Sequence, residues 1–153
     1  MYKNILLAYD GSVLDQKALI ECQELANLGS AHITLLTVTP NYYAALGLDG
    51  GFVMQDKIDQ DDQAQLEILN AGVMKLRSAG YQVEGVCLKG DAAVEIAHYA
   101  EQNHSDLIVV GHKHQSHWAA RWWGSSTSKA LIEIAHCSVL IVILIGIPLS
   151  EYI

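Results

Sequence analysis

A chain of 153 residues, 51% of them hydrophobic and 17% charged, is long enough for one domain with a sizeable core and too apolar to stay disordered. Its 17 acidic against 9 basic residues, a formal net charge of −8, argue against nucleic acid or an anionic membrane surface as the main partner. So low a charged fraction also leaves apolar surface to share with a partner.

Ile5-Leu6-Leu7-Ala8-Tyr9 is an unbroken apolar run that stops at Asp10-Gly11-Ser12, the pattern of a strand buried on both faces. It is too short for a signal peptide, and no small-residue cleavage site follows it. Ser12, with Asp15 three residues on, reads as an N-cap and capping box. The helix it opens buries Ala18, Leu19, Cys22, Leu25 and Ala26 and stops at Gly29. Residues 33–38 form a second strand, closed by Pro40.

Residues 41–63 hold Gly47, Gly50, Gly51 and the aspartates Asp49, Asp56, Asp59, Asp61 and Asp62, so they read as a mobile loop leading into a helix. Leu66, Leu69, Val73 and Leu76 then keep helical spacing up to Gly80, a C-terminal glycine. Residues 83–88 are the third strand, and Asp91 caps a helix that turns Val94, Ala97 and Ala100 inward and ends near Asn103. The fourth strand covers 107–110. Ser125 or Ser126 caps the last helix, whose apolar face is Ala130, Leu131, Ile134 and Ala135, and Val139-Leu140-Ile141-Val142-Ile143-Leu144 is the fifth strand.

Strict alternation of strands and helices, with no repeat and no linker, predicts a single α/β domain over 1–153, a doubly wound parallel sheet of five strands with helices on both faces. Ligands of such sheets bind beyond the strand C-termini, where the direction of winding reverses. Strand one ends at Asp10 and strand four at Gly111, so adjacent central strands put both in one crevice. The longest apolar run, from Val139 to Ile147, is well short of the ~20 residues of a spanning helix, so no membrane insertion is expected. Cys22, Cys87 and Cys137 are odd in number, far apart and set in apolar patterns, which fits reduced core thiols and a cytoplasmic protein.

Between Leu107 and Ile132 there is no Asp or Glu, while Lys113, Arg121, Lys129, His112, His114 and His117 all fall there. In an acidic chain that local reversal marks a site for an anion, and the small residues Gly124-Ser125-Ser126-Thr127 open the last helix, where N–H groups point at such a group. Neither G-x-G-x-x-G after strand one nor G-x-x-x-x-G-K-[ST] anywhere is present, which disfavours a dehydrogenase or a Walker-type NTPase. His112, His114 and His117 as a metal site would lack a cysteine or carboxylate nearby in sequence to complete the shell. His32, His98, His104 and His136 fit surface or helix-end positions. Trp118, Trp122 and Trp123 are open between packing over the last helix and stacking on a base, with packing the commoner outcome of an i,i+4 aromatic pair.

Gly111-x-x-His114, nine residues, then Gly124-Ser125 resembles the G-x2-G-x9-G-[ST] motif of ATP-binding members of the universal stress protein family, with His114 in place of the second glycine. The likeness extends along the chain through Asp10-Gly11-Ser12, Val38, Gly90 and Cys137-Ser138-Val139-Leu140-Ile141-Val142. It implies a Rossmann-like sheet of the adenine-nucleotide alpha-hydrolase type, strand order 3-2-1-4-5, and an adenine nucleotide, ATP or else AMP or ADP, with or without Mg²⁺. On the same resemblance Asp10 faces the ribose or a bound Mg²⁺, the Val38 backbone meets the adenine near Gly90, and Gly111 and His112 lie under the ribose and α-phosphate. Lys113 supplies charge, and Gly124, Ser125, Ser126 and Thr127 cradle the β- and γ-phosphates. His114 is open between blocking the close approach a glycine permits and donating a hydrogen bond to phosphate.

The family pairs its last strand across a homodimer two-fold, which would satisfy the apolar edge that residues 139–144 otherwise expose. Nothing in the sequence marks a nucleophile or a positioned water, so a signalling module with at most slow ATP hydrolysis is expected. The alternatives are a nucleotide-free dimer that binds an unidentified protein through residues 41–63, or a nucleotide-sensing subunit of a membrane transporter.

Overall fold

A computed structural model of the protein describes residues 2–11, 30–41, 51–113 and 125–144, with the backbone alone at 51–57, 112–113, 125–126 and 143–144. The expected first helix with its Ser12 cap, Cys22, and the three tryptophans lie outside the described residues. The described elements are β1 (Asn4–Ala8), β2 (His32–Thr39), α1 (Gly51–Ser78), β3 (Val83–Lys89), α2 (Ala92–Gln102), β4 (Leu107–Lys113), α3 (Ser125–Ile134) and β5 (Ser138–Leu144).

All neighbouring strands pair in parallel, in the order β3-β2-β1-β4-β5. Alternate side chains of each strand therefore feed two cores. On one face Ile5, Leu7, Ile33, Leu35 and Val109 pack with Leu69, Val73 and Leu76 of α1. On the other, Leu6, Ala8, Leu36, Val38, Ile108 and Val110 pack with Ala93, Ile96, Ala97 and Ala100 of α2 and Leu131 of α3. Each fully buried aliphatic side chain here contributes about 1.5–3 kcal/mol, enough to explain why the central strands carry no polar alternation. Gly72 lets α1 settle onto the sheet, because a Cβ there would stand 2.8 Å from Leu35 Cδ2 and 3.0 Å from Tyr9 Cε1.

Several local expectations are corrected. The helix anticipated after residue 63 begins at Gly51, so most of the expected loop is helical. Leu66, Val94 and Ile134, expected inside, are exposed, while Ile58, Ala93 and Ile96 are buried. Strand β4 continues beyond Val110 to Lys113 because its last residues pair with Val142, Ile143 and Leu144. Asp91 does cap α2, its Oδ1 accepting from the Val94 N–H at 3.1 Å.

The strand N-termini are tied by Asp106. Its two carboxylate oxygens accept the Lys3 and Asn4 N–H groups at 2.8 and 3.0 Å, and its own N–H donates to the Asn4 carbonyl at 3.0 Å. Cys87 and Cys137 are free thiols, partly buried against the two cores. Burial, reinforced by the Asp62 carboxylate and opposed by Lys89, raises the Cys87 thiol pKa. Burial and then Asp106 raise that of Cys137.

Candidate functional site

At the opposite edge of the sheet, β1 and β4 part company. The winding runs from β1 through β2 to β3 on one side and from β4 to β5 on the other, so the reversal falls between β1 and β4. Beyond the pair Leu7↔Val109 no further β1–β4 partners occur among the described residues, yet β4 runs on with β5 to Lys113↔Leu144. On the other flank β1 stays with β2, the Tyr9 N–H donating to the Leu36 carbonyl at 2.9 Å. The chain then leaves the sheet at Asp10 and turns at Gly11, whose φ of 78° is left-handed. A crevice between Asp10-Gly11 and Gly111 follows from these two departures.

Its surroundings are partly polar. Thr37, fully buried, donates its hydroxyl to the Tyr9 carbonyl at 2.6 Å and holds the end of β1. Helix α1 runs past the strand ends: Gln65 Nε2 donates to the Asp10 carbonyl at 3.4 Å, and Asp62 forms an ion pair with Lys89 at the end of β3. Next to it the Gly90 N–H donates to the Thr39 carbonyl at 3.0 Å. Gly90 is left-handed with φ 148°, and a Cβ there would lie 2.8 Å from Glu95 Oε1.

Helix α3 is the crossover from β4 to β5, so its N-terminus opens at this same edge. The first N–H groups of a helix have no intrahelical acceptor and carry partial positive charge, and α3 has no acidic residue in its first turn to neutralise it. Thr127 and Ser128, in that turn, are buried.

Of the residues singled out in the sequence, Asp10, Val38, Gly90, Gly111, His112 and Lys113 thus stand at the C-terminal ends of β1 to β4, and Ser125, Ser126 and Thr127 start α3. Val38 is buried, its side chain in the core against α2 and its position paired with Leu88. His114 and Gly124 lie outside the described residues. Among the described residues no three His, Cys, Asp or Glu side chains gather as a metal site, and His98, His104 and His136 are exposed. No helix among them is long and apolar enough to cross a membrane.

Gln65 and Ile68, which motif reasoning passed over, reach the Asp10-Gly11 turn beside the crevice, and Asp62, read in the sequence as part of an acidic loop, pairs with Lys89 at the end of β3. They follow one another at three-residue steps along α1, and their helical spacing from Ile58 to Leu69 was the available signal.

A sequence model described as the universal stress protein family matches residues 1–142. A universal stress protein of Bacillus subtilis, YxiE, is 30% identical over 148 residues, covering 93% of this chain and 99% of its own length. Among solved structures, a member of the family from Burkholderia pseudomallei superposes with a TM-score of 0.71 at 22% identity, over 92% of this chain and 96% of that one. The universal stress protein of Archaeoglobus fulgidus in complex with dAMP gives a TM-score of 0.64 at 21% identity, over 92% of this chain and 98% of the other.

Proposed function

The chain belongs to the universal stress protein family, and from that premise we propose that residues 1–153 form one homodimeric, cytoplasmic regulatory domain that binds ATP or another adenine nucleotide and is not an enzyme. The observation that carries the reading is the parting of β1 from β4 at the reversal of winding, with the acid-free start of α3 at the same edge. Such an opening suits a phosphate-bearing ligand on geometric and electrostatic grounds alike. The dAMP complex of the Archaeoglobus fulgidus relative supports adenine nucleotide as the ligand class.

In this reading the adenine meets the Val38 backbone beside Gly90, the ribose lies between Asp10 and Gly111, and His112, Lys113 and His114 flank the α-phosphate. Gly124, Ser125, Ser126 and Thr127 receive the outer phosphates. Magnesium is commonly held by one or two carboxylates together with substrate phosphates. Were Mg²⁺ to accompany the nucleotide, Asp10 would be the carboxylate of this chain to hold it. The partner subunit covers β5, which lies at the edge of the sheet and whose outer side pairs with no other strand among the described residues.

A fluorescent ATP-analogue titration tests the assignment. Gly124→Val puts a side chain where phosphate approaches and abolishes binding with the fold retained; unchanged affinity refutes the placement. His114→Gly strengthens binding if the histidine obstructs and weakens it if the imidazole donates. A nucleotide-free module of the same fold is the second reading, favoured by that histidine in place of the motif glycine. In that case wild type and Gly124→Val bind no nucleotide, and the protein partner of residues 41–63 becomes the object of search.

A further inference from the structure

We infer that Gln65 and Ile68 of α1 are positioning residues for Asp10, a role that rests on Asp10 being a ligand-contacting carboxylate. Gln65 donates to the Asp10 carbonyl across 55 positions of sequence, at 3.4 Å and in a half-buried setting. That oxygen belongs to the peptide joining Asp10 to Gly11, so holding it fixes the plane from which the Asp10 side chain departs. Ile68 holds the next residue by contact. Its Cγ2 stands so close to Gly11 that a Cβ there would be only 1.9 Å from it.

Both side chains sit between two fixed points on the same helix. Asp62, one residue stripe earlier, is paired with Lys89 at the end of β3. Gly72, further on, lies against Tyr9, the residue just before Asp10. Asp62 and Gly72 place α1 on either side of the Asp10-Gly11 turn, and Gln65, half-buried, and Ile68, 36% exposed, reach that turn from the stretch between them. Gln65 supplies a donor where the turn presents an acceptor, so a side chain of similar length without a donor loses the function and one that keeps a donor preserves it.

The test uses the full chain, calorimetric titration with ATP, and ¹⁵N relaxation at the Gly11 amide in ligand-free protein. Gln65→Met weakens ATP binding about threefold, as expected for a long neutral hydrogen bond, while Gln65→Lys stays near wild type. Ile68→Ala weakens binding as well, and Met74→Ala, on the exposed face of the same helix, does not. In an Asp10→Ala background Gln65→Met has no further effect, because its action passes through Asp10. An equal loss in that background, or no loss in the wild-type background, overturns the inference. If wild-type protein binds no ATP, the nucleotide reading fails by itself. The brace is then decided at Gly11, where a lower order parameter in Gln65→Met upholds it and an unchanged one overturns it.

Discussion

Replacing Gly11 with alanine asks the turn after β1 to accept a methyl group in a left-handed conformation, at φ 78°, directly beneath Ile68. The backbone cost for an L-residue in that region is about 1–2 kcal/mol. The new Cβ would meet Ile68 Cγ2 at 1.9 Å and Cβ at 3.3 Å, so the helix residue itself must shift. Isoleucine in a helix is confined to essentially one χ1 rotamer, which makes rotation a poor escape. Ile68 is 36% exposed and can yield toward solvent, so the steric part falls at the low end of the about 1–3 kcal/mol of overpacking, giving a total of about 2–3 kcal/mol by urea denaturation followed by circular dichroism. In an Ile68→Ala background the steric part disappears and only the backbone strain of about 1–2 kcal/mol remains. A Gly11→Ala protein destabilised by less than about 1 kcal/mol, below even the backbone cost, would show that α1 does not press on this turn. So would a penalty that Ile68→Ala leaves unchanged.

Other consequences follow from the same contacts. Asp106→Ala leaves the Lys3 and Asn4 N–H groups without their carboxylate acceptor and lowers stability by about 1–2 kcal/mol; a denaturation midpoint equal to wild type contradicts the clasp. Cys87, Cys137 and Tyr99 have raised pKa values, above ordinary values of 9.0 for the thiols and 10.0 for the phenol, with burial the main cause in each and Glu84 adding to it at Tyr99. All three bind their protons more tightly folded than unfolded, so their contribution is complete below those values and is lost as the pH rises through the folded ones. The thermal unfolding midpoint should therefore fall above about pH 9, less steeply in a Cys87→Ala, Cys137→Ala, Tyr99→Phe variant; identical alkaline slopes refute the assignment. Leu140, exposed on the outer strand β5, lies in the proposed dimer seam, so Leu140→Lys converts a dimer to a monomer in analytical ultracentrifugation. A wild-type monomer rules out the seam.

The central strands β1, β2 and β4 were legible because burial on both faces of a parallel sheet leaves little polar alternation to confuse the pattern, whereas the edge strands β3 and β5, with exposed positions such as Glu84 and Leu140, were legible from the apolar residues Val86 to Leu88 and the run 139–144. The beginning of α1 was not legible, for a related reason. Where α1 passes the strand ends its inward stripe carries Asp62 and Gln65, which meet Lys89 and the Asp10 carbonyl rather than a core. Polar residues on the inward face, beside glycines and aspartates, look like a loop although their spacing is helical. The exposure of Leu66 has the same origin, because the true inward register runs through Leu69, Val73 and Leu76. At the site, glycine and the small-residue cluster marked the strand-four loop. The contribution of a distant helix, 55 positions from Asp10, carries no local motif. The end of β4 was hidden in its polar residues His112 and Lys113, which are strand only because β5 offers an equally long run to pair with.

The central claim, that the opening between β1 and β4 holds an adenine nucleotide, is tested most directly by calorimetric titration of the purified wild-type protein with ATP and AMP, each with and without Mg²⁺. Nucleotide carried through purification is first checked in denatured protein. The account predicts micromolar or tighter binding of one of them, about −8 kcal/mol or better. No heat with either nucleotide, and none carried through, would contradict it.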